Sequence, residues 1–324
     1  MALAQRSAAP STAGVASRVR RRLRRDGHVL VFLLPAVALV VALYVAPNLL
    51  NFGYAFTNWS PYNEYNDVEW VGLDNFRELL GDEIFHTSLV NSLVFAAVAV
   101  PLRLVAALGL ALLLHRRYRA VGTYRSAAVL PTVVPDVAYG LLWLWLFNPL
   151  YGPINLFIEW HGSAQRTIFW GFPSPQWLTH PNDARAAIII MSLFTIGEAF
   201  VVLLVTRQGL PQELYELAAI EDATAWSVFR RITLPLMAPV LLLLLCRDTI
   251  FSLQANFVPA LVVTEGGPPP YSTTYLPLFV YREAFEYLRY GYAAAATLTM
   301  FALTALIVLA QWQIVKRWRR GFAV

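Results

Sequence analysis

The chain has 324 residues, of which 58% are hydrophobic and only 14% charged, with a formal net charge of +5. A soluble domain of this size carries about a quarter charged residues, so the composition excludes one and indicates a membrane protein. The positive balance does not indicate nucleic acid, because the basic residues stand at the ends of apolar segments and form no basic face interleaved with aromatics.

Crossing a bilayer core of about 30 Å takes roughly 20 apolar residues, and six segments meet or approach that. The arginine-rich, small-residue stretch 1–27 is predicted to be a disordered cytoplasmic tail. The first span follows it, from about His28 to Phe52. This run exceeds the roughly 7–15 residues of a signal-peptide core and more spans follow, so it is read as an uncleaved helix. The second span, about Leu89–His115, contains Arg103, and the third, about Ala127–Phe147, contains Asp136. The fourth, about Ala184–Val205, contains Glu198, and the fifth, about Leu236–Val263, contains the adjacent Arg247 and Asp248. The sixth, about Tyr292–Val315, is free of charge, and 321–324 is a short tail. Between spans five and six, Gly266-Gly267-Pro268-Pro269-Pro270 must be irregular, and the long polar loops on that side are docking candidates.

Arginine and lysine set the orientation. Eighteen fall in the amino-terminal tail, the 115–125 and 207–231 loops and the carboxyl tail, against five on the opposite side. The positive-inside rule then predicts that both termini are cytoplasmic. The fold class expected is an all-α membrane protein of six transmembrane helices, with the membrane domain over 28–320.

Several kinds of chemistry are excluded. Lys316 is the only lysine and its neighbours contain no glycine-rich loop, so no P-loop for nucleotide exists in this chain. Cys246 is the only cysteine and lies in an apolar run, which rules out an intrachain disulfide and argues against a thiolate metal site. The five histidines show no metal-ligand spacing, and no Ser-His-Asp elbow appears, so neither a metal centre nor an enzyme active site is expected.

The cytoplasmic loop 210–235 is the most informative segment. Pro211 suits a helix start, and Leu214, Leu217, Ala218 and Ile220 form an apolar stripe at helical spacing. A second short helix fits Ala225–Ile232. The pattern by itself serves two readings, a pair of helices inserted in a partner's groove or a surface helix packed on its own protein. Its residues resemble the coupling-loop signature of binding-protein-dependent ABC permeases, which reads Glu-Ala-Ala, three residues, Gly, nine residues, Ile, any residue, Leu-Pro. Glu216, Ala218, Ile232, Leu234 and Pro235 match at the required spacing, with Leu217 in place of the first Ala and Asp222 in place of the Gly. Asp tolerates the left-handed backbone that such a bend favours, though less well than Gly.

The resemblance runs over about 28–320 and points to the sugar-importer branch, as a maltose-permease-like first permease subunit. It rests on Val71-Gly72-Leu73-Asp74-Asn75-Phe76, Asn91-Ser92, Tyr124-Arg125 with Leu130-Pro131, and the stretch Trp143–Pro149 with Gly152 and Asn155. Thr264-Glu265-Gly266-Gly267-Pro268 and Tyr290–Ala295 complete it. It implies a type I ABC importer permease fold in a bacterial or archaeal inner membrane. It also implies a second permease, an ATPase dimer that binds the ATP and Mg, and an extracytoplasmic solute-binding protein, with no cofactor in this chain. The cargo implied is an oligosaccharide, polyol or glycerophosphodiester.

Charges inside spans are costly, so Asp136, Glu198, Asp248 and Arg103 are candidates either for a solute pathway or for ion pairs between helices. Adjacent Arg247 and Asp248 project at different angles and should not both face one pore. A sugar pathway also needs hydroxyl-bonding groups and aromatic faces, which Gln254, Asn256, Tyr139 and Trp143 can supply. Trp143 serves equally well as a packing or interfacial aromatic. Asp248, Gln254 and Asn256 would share one broad face of the fifth helix. The competing function is a stand-alone secondary transporter that uses the intramembrane carboxylates. Its sign would be inverted repeats with helices broken in matching places, which the sequence does not display.

Overall fold

A computed structural model describes residues 27–62, 68–116, 118–161, 175–254 and 256–321. The expected disordered tail, apart from Gly27, and the residues 322–324 lie outside these ranges. The chain divides into two compact units, Met1–Tyr54 and Ala55–Val324.

The first unit is one helical run: α1 (Gly27–Val40), a π turn (Val41–Val45) and α2 (Ala46–Tyr54). Its stretch Phe32–Tyr54 is long and apolar enough to cross a membrane, and none of those side chains is buried.

The second unit begins with the short α3 (Asp74–Gly81), then the long α4 (Glu83–Leu114). The Asp82 carboxylate accepts from the Ile84 and Phe85 amides at 2.7 and 3.2 Å, which fixes the start of α4. The third apolar segment is not the continuous helix expected. It consists of α5 (Val121–Val129), a 3-10 turn (Leu130–Val133) and α6 (Asp136–Leu146), bent by 100°. Pro131 and Pro135 cannot donate to a helical ladder, and Val134, the residue before Pro135, is extended with ψ 132°. After α7 (Pro153–His161), the fourth segment is also broken, into α8 (Pro181–Leu193) and α9 (Gly197–Gln208) with a 43° bend. Here the cause is close packing. A Cβ on Gly197 would stand 2.8 Å from Thr132 Cγ2 and 2.9 Å from Val129 Cα, so the start of α9 is wedged against the break in the third segment.

The 210–235 region holds α10 (Glu213–Ile220), α11 (Ala225–Val228) and a π turn (Phe229–Thr233), which runs directly into α12 (Leu234–Gln254). The fifth span therefore starts earlier and stops sooner than the expected Leu236–Val263, and α13 (Val258–Thr264) is a separate helix. Next come α14 (Leu276–Tyr281), a π turn (Arg282–Glu286) and α15 (Tyr290–Gly321), which contains the expected sixth span. Four helices among the described residues are long and apolar enough to cross a membrane, or six if each bent pair is one span.

Helix α4 is central, with α8, α9 and α12 packed along it, while α13 lies on α6 and α15 on α12. Phe95, Trp143, Phe147, Met191 and Tyr275 form one core, and Ala107, Ala111, Phe200, Leu203 and Met237 form a second further along α4. The glycine-proline segment is irregular as expected, with Pro269 and Pro270 exposed, and the residues that follow it turn inward. Ser272, Thr273 and Thr274 are fully buried. Asn91 Nδ2 donates to the Tyr271 and Thr274 carbonyls at 2.8 and 3.1 Å, and Ser92 Oγ accepts from the Leu276 amide at 2.9 Å. Gly266 and Gly267, at φ +88° and +86°, make the reversal that tucks this segment in. Two motifs far apart in sequence thus form one structural clamp.

Candidate functional site: an internal cavity and an exposed helical loop

The loop is built by end-capping. At the end of α10, the Asp222 amide donates to Ala219 at 3.3 Å and the Ala223 amide to Ala218 at 3.0 Å, the paired bonds of a Schellman turn. Asp222 takes the left-handed conformation at φ +50°, as its place in the bend requires. Thr224 Oγ1 then accepts from the Ser227 amide at 3.3 Å and starts α11. The second helix does not end at Ile232. Leu234 donates to the Phe229 carbonyl through the π turn, and the chain continues past Pro235 into α12. Pro235 has no N–H, so the ladder is widened just ahead of it. Pro211 stands before the helix start rather than within it, because α10 begins at Glu213.

The expected apolar stripe divides. Ala218 is 7% exposed and packs inward, whereas Leu217 and Ile220 are 59% and 79% exposed, and Trp226 on α11 is exposed as well. Glu216 and Asp222 are exposed; Ile232, Leu234 and Pro235 are half-buried at the join with α12. Among the described residues nothing packs over this apolar face.

The cavity has a volume of about 290 Å³ and opens between α4, the two broken segments, α12 and the residues that follow it. Asp136 and Glu198 both lie on its wall, and both stand in the first turn of a half-helix, where the helix dipole favours a carboxylate. Asp248 lies across from Arg103, Oδ2 to Nε at 3.1 Å, with side chains only 19% and 13% exposed. Arg103 also donates to Ser252 Oγ. Arg247 donates to Glu198 and lays its guanidinium 4.7 Å from the Phe251 ring centre. The expectation that Arg247 and Asp248 cannot face one pore is therefore wrong: both line this cavity, because arginine is long enough to turn back along the helix. Among the described residues, the buried Asn256 amide nitrogen on the same wall makes no hydrogen bond of good geometry.

Sequence comparison settles what kind of protein carries these features. A family described as "Binding-protein-dependent transport system inner membrane component" matches residues 103–320. The chain belongs to this family. As a member of the binding-protein-dependent inner-membrane family, it is a permease. It is 31% identical to the probable ABC transporter permease protein PH1215 of Pyrococcus horikoshii, over 87% of this chain and 93% of the relative. It is 29% identical to the sulfoquinovosyl glycerol transport system permease protein SmoG of Agrobacterium fabrum, over 77% of this chain and 78% of that one. Its fold is that of a bacterial ABC transporter involved in import of the acidic polysaccharide alginate, at TM-score 0.79 and 23% identity over 93% of this chain and 99% of the other. This is the type I importer permease fold.

Of the residues singled out for the pathway, this permease brings Asp136, Glu198, Asp248, Asn256 and Tyr139 to one cavity. Trp143 is in the core, packed on Phe147 and Phe194, and is not on the cavity wall. Gln254 is the last residue of α12 and is not on the wall either; Asn256 lies beyond the helix end, so the shared helical face expected of Asp248, Gln254 and Asn256 does not exist. The Tyr139 hydroxyl is already used, donating to the Met191 carbonyl at 2.6 Å, which leaves its ring for the cavity. Arg247, Ser252 and Thr195 on the wall escaped the sequence reading. Arg247 stood apart because its angle to Asp248 excluded it from a shared pore, and hydroxyl side chains are too common in membrane helices to stand out.

Proposed function

We propose that this permease is the membrane subunit of an ATP-driven importer that moves a carbohydrate or related solute, whether an oligosaccharide, a polyol or a glycerophosphodiester. It spans the membrane six times, each bent pair counting once, with both termini cytoplasmic. It pairs with a second permease, receives solute from an extracytoplasmic binding protein, and takes force from an ATPase dimer that holds the ATP and Mg. The observation that carries the reading is the capped pair α10–α11, with Leu217, Ile220 and Trp226 left exposed at the place where the coupling signature falls. Glu216, Ala218, Asp222, Ile232, Leu234 and Pro235 form this coupling element. ATP closes the ATPase dimer, the loop moves with it, and the helices reopen toward the loaded binding protein; hydrolysis resets the cycle.

The cavity supports a polar solute. Asp136, Glu198, Asp248 and the Asn256 amide offer hydrogen bonds to hydroxyls, and the Tyr139 ring offers an apolar face. The stand-alone transporter reading predicted broken helices, and two segments are broken, but that reading leaves the exposed coupling pair and the family's dependence on a binding protein without a role. The test is purification in mild detergent together with the products of neighbouring genes. Retention of an ATPase is the expected result, and a chain that never retains one defeats the proposal.

A further inference from the structure

Tyr215, on α10, makes two contacts with the flanking helices. The Arg207 guanidinium, in the last turn of α9, lies 4.1 Å from its ring centre. The Tyr215 hydroxyl is 3.1 Å from Thr233 Oγ1, and Thr233 is buried at the end of the π turn that leads into α12. Among the described residues Arg207 Nε is buried with no hydrogen-bond partner and Arg207 forms no ion pair, so the contact with the tyrosine ring is what positions the guanidinium. Ala218, one turn further along α10, is buried on the same side, while Leu217 and Ile220 point away.

Without these contacts α10 would hang between two bends, Gly209–Gln212 and Glu221–Thr224, each able to absorb a displacement. We propose that Tyr215 is the positioning residue that removes this slack: it pins α10 to α9 through Arg207 and to α12 through Thr233, so a push on the outer face of α10 reaches both helices at once. This goes beyond the coupling signature, which includes neither Tyr215 nor Arg207, and it rests on the reading of 210–235 as the coupling loop. The two helices it joins carry Glu198 and Asp248 on the cavity wall, so the pin links the docking face to the two sides of the cavity.

The experiment uses the whole complex, this permease with its co-purifying partners, in proteoliposomes, with ATP hydrolysis and solute uptake measured in parallel. Tyr215→Ala retains the ATPase and hydrolyses ATP, but uptake per ATP falls at least about fivefold, the factor expected when one net interaction is lost. Tyr215→Phe and Thr233→Val keep the stack on Arg207 and remove only the hydroxyl contact; each lowers the ratio less, and the double variant is no worse than either single one. Arg207→Gln lowers the ratio, and Arg207→Lys restores part of it. An unchanged ratio in Tyr215→Ala, additive effects of Tyr215→Phe and Thr233→Val, or loss of the ATPase from Tyr215→Ala would each overturn the pin, the last because Tyr215 faces away from the docking side. Failure of the wild-type complex to retain an ATPase is a different result, and it overturns the coupling reading and the pin together.

Discussion

Replacing Asp248 with Ala leaves the Arg103 guanidinium charged, 13% exposed and without its carboxylate. Breaking a buried pair in this way costs about 3–5 kcal/mol, because the remaining charge keeps its desolvation penalty and loses its attraction. The low end applies here. Arg103 still donates to Ser252 Oγ and stands 5.8 Å from the Phe95 ring centre. Among the described residues neither Arg103 Nε nor Asp248 Oδ2 makes a hydrogen bond of good geometry, so the pair is an ion contact at 3.1 Å. The second pair is the internal control. Arg247 and Glu198 are 35% and 69% exposed, so Glu198→Gln costs at most about 1 kcal/mol. The combined change Arg103→Met with Asp248→Leu removes both charges and costs less than about 1 kcal/mol. Chemical unfolding of the detergent-solubilised permease measures all three, together with the single changes Arg103→Met and Asp248→Leu. The reasoning is refuted if Asp248→Ala and Glu198→Gln cost the same, or if the double change costs the sum of its parts.

Three further outcomes follow from particular residues. Asp222→Gly relieves a left-handed φ of +50°, so it keeps uptake and stabilises the permease by about 1 kcal/mol, read by the same unfolding assay. Glu216→Lys reverses an exposed charge on α10; the protein still reaches the membrane by immunoblot, but uptake is abolished. Glu283→Gln tests a buried acid on the π turn before α15. Burial raises the Glu283 carboxyl above its ordinary value; Arg289, at 3.5 Å, opposes this, while Asp82 and Glu78 reinforce it. A raised acid pKa means the folded chain holds the proton more tightly than the unfolded one. That stabilisation is complete below the ordinary value of 4.5 and is lost as pH rises through the folded value. Glu283→Gln, which stays neutral, therefore gains thermal stability relative to the parent as pH rises from about 4.5 to about 8. A gain that shrinks over that range contradicts the assignment.

The long helices were legible because a charge-free run of sufficient length has few other solutions in a membrane. The breaks were not. Pro131 and Pro135 sit inside an apolar segment long enough to read as one span, and the break at Gly197 coincides with the close approach of Thr132 and Val129 from another segment. The end of α12 at Gln254 was missed for the same reason, since the apolar run resumes at once in α13. The intramembrane charges were visible as candidates from their cost alone, but their partners were not, because Arg103 and Asp248 are brought together by packing. The angular argument against Arg247 treated side chains as fixed vectors and failed on the length of arginine. Asp222 was legible down to its backbone conformation, because the spacing of the signature fixed the bend and the bend fixed φ. Trp143 looked like a pathway residue by chemistry and turned out to be core, a distinction that depends on which face of α6 meets Phe147 and Phe194.

The central claim is that transport through this permease is driven by a partner ATPase acting on residues 210–235. The direct measurement is solute accumulation in proteoliposomes, comparing the complete complex with ATP inside the ATPase compartment against the permease alone under imposed proton or sodium gradients. The account predicts accumulation only with ATP and the ATPase, persisting when ionophores collapse both gradients. Accumulation by the permease alone on an ion gradient would contradict it.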